Sequence, residues 1–446
     1  MTTFIADVST GIYCRPGCSA PDLERRFATA AGAEVSGFRA CDDCRPYRAP
    51  LIVGSDVPEL VCQAVQMVLD GALDDGTEAD LAARIGLSPR HLRRVFATHL
   101  GATPDQLARS RRAHFARGLL DDTDLSIVDV AFAAGFGSLR QFNRMMRDVF
   151  GASPTELRDR RHDSDRLVVD GGLDLLIAVP PGYDWAAVRD FLAVRAMPGV
   201  ETVDSTTYRR TIVVDGATGL LEISPVAGDE LRVRAHLPYW GRLMHIIERT
   251  RRLIGIGTDH QAAVAALSAD PALGAVVRRR PGLAVPGTWD PLEVGMQAIL
   301  GRSRDIRATR RSVAAVVAAL GTPVHGLPGA LTHAFPESHM LTFEGLTAAG
   351  LPPADAAAVA ALASTAPPLG HHTGIDRSAV ADEHVYQLLS LRLGHRDAFP
   401  MDDPALRAGL VALGIDESEA MRWRPWSSLA AVHLMAHGDR LTHATH

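Results

Sequence analysis

The 446-residue sequence contains no lysine, so all 46 basic residues are arginine. An imine intermediate on a side-chain amine needs lysine, and this absence excludes Schiff-base chemistry of that kind. Aromatic residues make up only 5% of the chain, and no apolar run is long enough to span a membrane. The first residues lack the basic start and apolar core of a secretory signal, so we expect a cytoplasmic protein without a membrane partner.

Cysteine is also scarce, with five residues in the whole chain. In a reducing compartment, clustered cysteines are more often metal ligands than disulfide partners. Cys14 and Cys18 form one close pair and Cys41 and Cys44 a second, so together they can supply the four thiolates of a tetrahedral zinc site. A purely structural zinc site is one interpretation of this quartet. Cys62 lies apart on an apolar helical face, and we expect it to be a buried structural thiol.

The length of the chain is too great for one hydrophobic core and predicts two to four domains. The formal net charge is −6, but it is unevenly distributed. Residues 81–161 contain 14 arginines against 8 acidic residues, a surplus of +6 that leaves −12 for the remainder. Basic charge is therefore concentrated in a stretch that could contact phosphate.

Two helix-turn-helix units follow a first helix that begins near Pro58. Their turns lie at Gly86 and Gly135, and Ser88 and Ser138 precede the second helices as caps. Arginine can address guanine and glutamine adenine, but most protein–DNA hydrogen bonds go to phosphate, so base reading and phosphate contact both stay open. The residues expected on the DNA-facing side of the second helices are Arg90, His91, Arg94, Arg140, Gln141 and Arg144.

Alternating apolar and polar residues then predict an α+β region, and the rest of the chain has helical periodicity. Strands are expected over 173–179, 208–214, 220–224 and 230–237, with a helix over 185–196. Later helices are expected near 241–253, 259–267, 291–301, 304–320, 353–365, 384–393, 403–414 and 416–421, with a last one from about 426.

Two adjacent carboxylates, Asp402 and Asp403, follow a Pro-containing loop and open one of these helices. Aspartate is a preferred helix cap, so the local sequence alone favours a structural role. An ionised carboxylate can also stabilise a developing cation or activate water. The local pattern leaves both roles open.

The N-terminal half resembles two known families. The stretch Thr10-Gly-Ile-Tyr-Cys14-Arg-Pro-Gly-Cys18 resembles the zinc-binding repair domain of the Ada family. That resemblance implies that Cys14 is both a zinc ligand and the acceptor of a methyl group from a DNA methylphosphotriester. The paired helix-turn-helix units, closed by Phe150-Gly-Ala-Ser-Pro154, resemble the AraC-type DNA-binding domain.

The C-terminal half resembles AlkA-type glycosylases of the helix-hairpin-helix superfamily. The resemblance is carried by Asp290-Pro-Leu-Glu-Val-Gly-Met-Gln-Ala-Ile-Leu-Gly301, by Asp397-Ala-Phe-Pro-Met-Asp-Asp403 and by Arg422-Trp-Arg-Pro-Trp426. It implies that Asp403 is the catalytic carboxylate. The glycine-rich hairpin of that superfamily is replaced here by Ser378-Ala-Val-Ala-Asp-Glu-His384, where the aromatic of the hairpin falls at Glu383 or His384. A second stacking aromatic, in the last helix, falls at Met435, and the glutamine that follows Ile-Leu-Gly in the family is Arg302.

Together these segments resemble the Ada–AlkA fusion family. The resemblance implies a multidomain, mainly α protein with a zinc domain at 1–50, an all-α AraC-type domain at 56–162, an α+β domain at 165–240 and an all-α helix-hairpin-helix domain at 241–440. It implies zinc as cofactor, duplex DNA as partner with RNA polymerase as a further candidate, and monofunctional excision of bases such as 3-methyladenine and 7-methylguanine. The alternative is a non-enzymatic regulator whose glycosylase half only binds DNA or supports the fold.

Overall fold

The fold is that of a computed structural model, which describes residues 4–18, 24–51, 53–54, 57–160, 172–214, 216–237, 240–241, 243–257, 260–302, 304, 306–365, 380 and 382–444. Along these residues four regions follow one another, and the mainly helical, multidomain fold class is confirmed. No helix in the described ranges is both long and apolar enough to cross a membrane.

The N-terminal region is a small four-stranded sheet with one helix packed on it. Strand β1 pairs antiparallel with both β2 and β3, and β2 pairs parallel with β4. This register places the end of β2 beside the residue after β4, where the Cys41 N–H donates to the Tyr13 carbonyl at 3.0 Å. The sequence analysis predicted none of these short elements, which are β1 Phe4–Asp7, β2 Ile12–Cys14, β3 Glu24–Phe27, α1 Ala30–Val35 and β4 Arg39–Ala40.

The second region contains both predicted helix-turn-helix units, joined by a long central helix. The predicted caps are confirmed, since the Ser88 hydroxyl accepts from the His91 N–H at 3.3 Å and the Ser138 hydroxyl from the Gln141 N–H at 3.2 Å. Its helices are α2 Glu59–Leu69, α3 Glu78–Arg84, α4 Pro89–Leu100, α5 Pro104–Asp122, α6 Ile127–Ala133, α7 Leu139–Phe150 and α8 Pro154–Asp159.

The third region is a five-stranded antiparallel sheet in the order β5-β9-β8-β7-β6, with one helix. Apolar residues on one face of neighbouring strands are in register, as in the pair Leu175 and Val233. Strand β6 was not predicted. The elements are β5 Leu173–Ala178, α9 Trp185–Arg195, β6 Glu201–Val203, β7 Tyr208–Val214, β8 Ala217–Pro225 and β9 Glu230–His236.

The C-terminal region is helical, as expected, with three differences from the prediction. The expected helix over 416–421 is a 3₁₀ helix at Glu417–Trp423. Two short helices were not predicted, α12 Gly274–Arg279 and α15 Phe343–Ala348. Two short strands, β10 Thr322–Pro323 and β11 His333–Ala334, pair with each other. The α-helices are α10 Leu243–Leu253, α11 His260–Ser268, α12 Gly274–Arg279, α13 Pro291–Gly301, α14 Ile306–Leu320, α15 Phe343–Ala348, α16 Pro353–Thr365, α17 Glu383–Arg392, α18 Pro404–Leu413 and α19 Ser427–Ala444.

One buried hydrophobic cluster extends through the helix-turn-helix, α+β and C-terminal regions, beside smaller clusters. It runs from Tyr47 through Phe142 and Val233 to Leu406, all buried. Buried ion pairs also cross the regions, such as Arg252 of α10 with Asp70 just after α2, at 2.6 Å. Because this core crosses the expected domain boundaries, those boundaries stay predictions. The helix-turn-helix region is packed directly on the C-terminal half.

Candidate metal centre, DNA-facing helices and aspartate pocket

The four predicted cysteine ligands lie together. The sulfur atoms of Cys14, Cys18, Cys41 and Cys44 are all within 4.8 Å of one another. A tetrahedral zinc ion with Zn–S distances near 2.3 Å separates its sulfurs by roughly 3.8 Å, so this arrangement fits zinc. The β2–β4 pairing accounts for the cluster, because it brings the two cysteine pairs to the same end of the sheet. The prediction of a zinc site is confirmed.

The ligands differ in access to solvent and in electrostatics. Cys14, the predicted methyl acceptor, is 7% exposed, whereas Cys18 is exposed to solvent. Burial raises the pKa of the Cys41 thiol, but backbone hydrogen bonds from Cys44 and Asp43, together with hydrogen bonds to the Cys14 and Cys44 side chains, lower that pKa overall. The Arg15 N–H donates to the Cys44 sulfur at 3.3 Å. Backbone donors of this kind orient metal-ligating thiolates.

Cys62 is only partly buried, so the prediction of a buried structural thiol needs correction. Its sulfur lies 2.7 Å from Nη2 of Arg396, a residue of the C-terminal half. Burial raises the pKa of this thiol to about 11. The side chain therefore belongs to the contact between the two halves of the molecule, which the helical periodicity around it could not indicate.

The six predicted DNA-facing residues lie on the second helices of the two helix-turn-helix units, α4 and α7. Five are exposed, and His91 is half-buried, with its Nδ1 3.0 Å from Nη2 of Arg94. The opposite faces of α4 and α7 are buried through Phe96 and Phe142. Val95 and Met145, on the same two helices, are half-buried. The exposed residues are Arg90, Arg94, Arg140, Gln141 and Arg144.

Asp403 lies at the N-cap of α18, where its carboxylate accepts from the Leu406 N–H at 3.0 Å. It is thus a helix cap, as the local sequence favours. It also lines a cavity of about 130 Å³, so capping does not remove it from a candidate site. Its neighbour Asp402 is exposed and pairs with Arg407. Of the two predicted carboxylates, only Asp403 faces the cavity.

The cavity is formed by six helices: α9, α13, α14, α17, α18 and α19. Arg195, at the end of α9, pairs with Asp439 of α19 at 2.9 Å, and the Gln297 amide donates to the Arg195 carbonyl at 3.0 Å. Burial raises the pKa of Asp403, while the Arg195 charge opposes this rise. Arg195 is therefore a functional candidate that the sequence analysis missed.

His384 of α17, one of the two positions predicted for the aromatic of the hairpin, also lines the cavity. Its Nδ1 is buried without a hydrogen-bond partner in the described part of the chain. None of the described lining residues is Phe, Tyr or Trp. Met435, at the expected second stacking position, is buried and does not line the cavity.

Two residues that depart from the family pattern, Arg302 and Asp382, are in contact. Arg302, where the family has a glutamine, forms an ion pair with Asp382, one of the acids in the altered hairpin, at 3.0 Å. Asp382 also caps α17 by accepting from the Val385 N–H at 2.9 Å. Ser378, Ala379 and Ala381 of that hairpin lie outside the described residues.

Comparisons with known proteins agree with this organisation. The family model described as the metal binding domain of Ada matches residues 2–47, a helix-turn-helix domain model matches residues 81–160, and the AlkA N-terminal domain model matches residues 174–290. A solved 3-methyladenine DNA-glycosylase from Archaeoglobus fulgidus shares the fold, with a TM-score of 0.51 at 18% identity over 59% of this chain and 98% of that one.

Relatives cover the same segments. A Mycobacterium tuberculosis protein named "Probable bifunctional transcriptional activator/DNA repair enzyme AlkA" is 36% identical over 96% of this chain and 92% of its own length. The Escherichia coli DNA-3-methyladenine glycosylase 2 is 27% identical over 57% of this chain and 94% of its own length. The Escherichia coli protein named Ada is 28% identical over 36% of this chain and 44% of its own length.

Fold and site together define a metal-binding, helix-turn-helix protein fused to a half with the glycosylase fold, and duplex DNA is the partner of the helix-turn-helix part. The similarity to the mycobacterial protein extends over nearly the whole of both chains. The chain belongs to the Ada–AlkA fusion family.

Proposed function

We propose that this protein regulates transcription and repairs alkylated DNA, with Asp403 as the catalytic carboxylate of a monofunctional glycosylase. The observation that carries the proposal is the position of Asp403, which lines a cavity formed by six helices while Asp402 faces solvent. The names of the relatives support the reaction class: one is a transcriptional activator and DNA repair enzyme, and another a 3-methyladenine glycosylase.

The proposed reaction needs little from the protein beyond one ionised carboxylate. A methylated purine such as 3-methyladenine or 7-methylguanine already carries positive charge, so its bond to the sugar is weak, and the nucleotide must leave the base stack to be reached. When that bond breaks, its electron pair goes to the base and the sugar becomes cationic. The Asp403 carboxylate stabilises this cation, water adds to C1′, and the proton of that water passes to the carboxylate.

Arg195 supports the ionised form of Asp403 in this proposal. Burial raises the Asp403 pKa and the Arg195 charge opposes the rise, although Arg195 also neutralises Asp439. Asp403 also accepts the Leu406 N–H, which holds the carboxylate in one orientation. The site thus holds a partly enclosed aspartate in one orientation, and Arg195 limits the rise in its pKa.

The N-terminal region is proposed to accept methyl groups at Cys14. With zinc held by the four cysteines, the Cys14 sulfur would stay a thiolate. That thiolate attacks the methyl carbon of a methylphosphotriester, so a sulfur–carbon bond forms, the carbon–oxygen bond breaks and a phosphodiester anion leaves. The incoming phosphotriester must reach the sulfur of a residue that is only 7% exposed. A structural role alone is the competing interpretation of this metal centre.

The helix-turn-helix region is proposed to bind promoter DNA through the exposed residues of α4 and α7. Each of the two second helices could enter the major groove. An activator works by contact with the transcription machinery, so RNA polymerase is included as a partner in this proposal.

Free-base release from duplex DNA containing 3-methyladenine or 7-methylguanine tests the glycosylase. Asp403→Asn should abolish release, because the amide cannot carry negative charge, yet asparagine caps a helix as well as aspartate does. Asp402→Asn is the matched control and should release base at the normal rate. No release from the unaltered protein would leave the non-enzymatic regulator as the function.

For the metal centre, protein exposed to DNA with labelled methylphosphotriesters should carry label on Cys14. A zinc-loaded protein without label, or with label on Cys18 alone, contradicts the assignment of Cys14 as acceptor.

A further inference from the structure

A cavity of about 150 Å³ lies between the helix-turn-helix region and the C-terminal half, and it shares no lining residue with the Asp403 pocket. Its walls come from α2, the end of α10 with the loop after it, and the residues that follow α17. Apolar side chains, including Leu51, Met67 and Val285, form part of the lining. The rest of the lining includes seven charged side chains together with glutamines and glycines.

The ionic side of the cavity carries an excess of positive charge. Four arginines face three carboxylates, a surplus of one, and burial lowers the pKa of His395, so this histidine adds no charge at neutral pH. Each carboxylate already has an arginine partner, since Asp70 pairs with Arg252, Glu248 with Arg111 and Arg251, and Glu59 with Arg396. The charged lining residues are Arg111, Arg251, Arg252, Arg396, Glu59, Asp70 and Glu248.

Besides the positive charge, the cavity contains buried arginine donors that have no acceptor in the portion of the chain described, above all those of Arg252. Its side chain is 7% exposed, and Nη1 makes both bonds to Asp70, at 2.6 and 2.8 Å. Its Nε and Nη2 are buried with no acceptor among the residues that the structure describes. The same holds for Nε of Arg251, whose Nη1 donates to Glu248 at 2.7 Å. Buried charged donors without acceptors are strongly unfavourable, so these atoms require an acceptor.

We propose that this cavity binds a small oxyanion, either a carboxylate or a phosphate, on Arg252 and Arg251. The planar guanidinium matches the geometry of both groups. One negative charge would neutralise the surplus, and an apolar part of the ligand would pack against Met67 and Val285. In another protein, an engineered cavity of similar volume binds benzene. The ligand of this cavity should therefore be a metabolite of similar size. Duplex phosphate is too bulky to reach a guanidinium this enclosed.

The ligand would contact both halves of the chain. Asp70 follows α2 of the helix-turn-helix region, and Arg251 and Arg252 belong to α10 of the C-terminal half. Occupancy should therefore stabilise the contact between the two halves. This inference is independent of the proposed glycosylase and methyl-transfer activities.

Isothermal calorimetry of the full-length, zinc-loaded protein with inorganic phosphate and with acetate, at constant ionic strength, tests the proposal. We expect saturable binding of one anion per chain by at least one probe, and the probe that binds distinguishes a phosphate ligand from a carboxylate ligand. Gln63→Trp should weaken binding at least tenfold, because Gln63 lines the cavity and takes no part in the ion pairs above.

Arg252→Met combined with Asp70→Asn removes the donors without leaving a lone carboxylate and should also weaken binding at least tenfold. Arg147→Met, on the exposed face of α7, is the control and should bind like the unaltered protein. Absence of saturable binding by both probes would overturn the proposal. So would unchanged affinity in the Gln63→Trp variant, which would place the bound anion elsewhere on the surface.

Discussion

Replacing Arg195 with glutamine should shift the pH dependence of base release. Burial raises the pKa of Asp403, and Arg195 is the strongest influence that lowers it. Arg195 also neutralises Asp439 at 2.9 Å, so its loss both removes a cation and leaves a second anion in the same cavity. Both changes raise the Asp403 pKa further.

The sign and size of the effect follow from the charge state that the reaction needs. Release requires ionised Asp403, so activity is lost as pH falls through the pKa of that carboxyl, and a higher pKa moves the acid limb of kcat/KM upward. Loss of one nearby counter-charge shifts a carboxyl pKa by on the order of one unit, or about 1.4 kcal/mol. At a pH below the Asp403 pKa of both proteins, kcat/KM of Arg195→Gln should therefore be roughly tenfold lower than that of the unaltered protein.

The assay is a kcat/KM profile for free-base release between acidic and neutral pH. Adding Asp439→Asn to Arg195→Gln removes the carboxylate that Arg195 neutralises. The acid limb should then move part of the way back toward its position in the unaltered protein. An acid limb that stays in place in Arg195→Gln, or moves to lower pH, would refute the role of Arg195 in keeping Asp403 ionised.

Three other predictions concern the metal centre, DNA binding and the core. Cys41→Ser should lose the zinc that metal analysis finds in the unaltered protein, since three thiolates cannot close a structural site, and full zinc content in the variant would contradict this. Gln141→Ala should weaken binding to a selected operator by about 1–3 kcal/mol in a fluorescence titration and leave base release unchanged, whereas unchanged affinity would remove Gln141 from base reading. Arg210→Met should lower the free energy of unfolding in denaturant by about 3–5 kcal/mol, because it leaves Glu293 buried without its arginine partner. Arg232 is more exposed, so Arg232→Met should change the free energy of unfolding by no more than about 0.5 kcal/mol.

The sequence predicts the metal centre well because its four cysteine ligands lie close together along the chain. Each cysteine pair has short internal spacing, both pairs lie in the N-terminal region, and a single strand pairing brings Cys14 and Cys41 together. The helix-turn-helix units are equally local, since Ser88 and Ser138 mark where each second helix begins. The strands around the cysteines escaped prediction because segments of two to four residues carry almost no periodicity.

The Asp403 cavity shows what sequence cannot supply. Its carboxylate and the helix that Asp403 caps are predictable from Asp402-Asp403-Pro404, but Arg195 lies more than two hundred residues earlier at the end of α9. Nothing near Arg195 distinguishes it from the arginines that end other helices. Only packing of the α+β region on the C-terminal helices brings Arg195 to Asp439.

The cavity between the two halves escaped prediction for the same reason. Asp70 and Arg252 are separated by nearly two hundred residues and pair only because α2 and α10 pack together. Cys62 was assigned to a core for its apolar surroundings along α2, yet Arg396 reaches it from the C-terminal half. Long-range contacts between charged residues leave no pattern in the local sequence.

The most direct test of the central claim is release of free 3-methyladenine from duplex DNA by three proteins: the unaltered chain, Asp403→Asn and Asp402→Asn. If Asp403 is the catalytic carboxylate, the unaltered chain and Asp402→Asn release base at similar rates and Asp403→Asn releases none above background. Release by Asp403→Asn at the unaltered rate, or its loss in Asp402→Asn alone, would contradict the assignment.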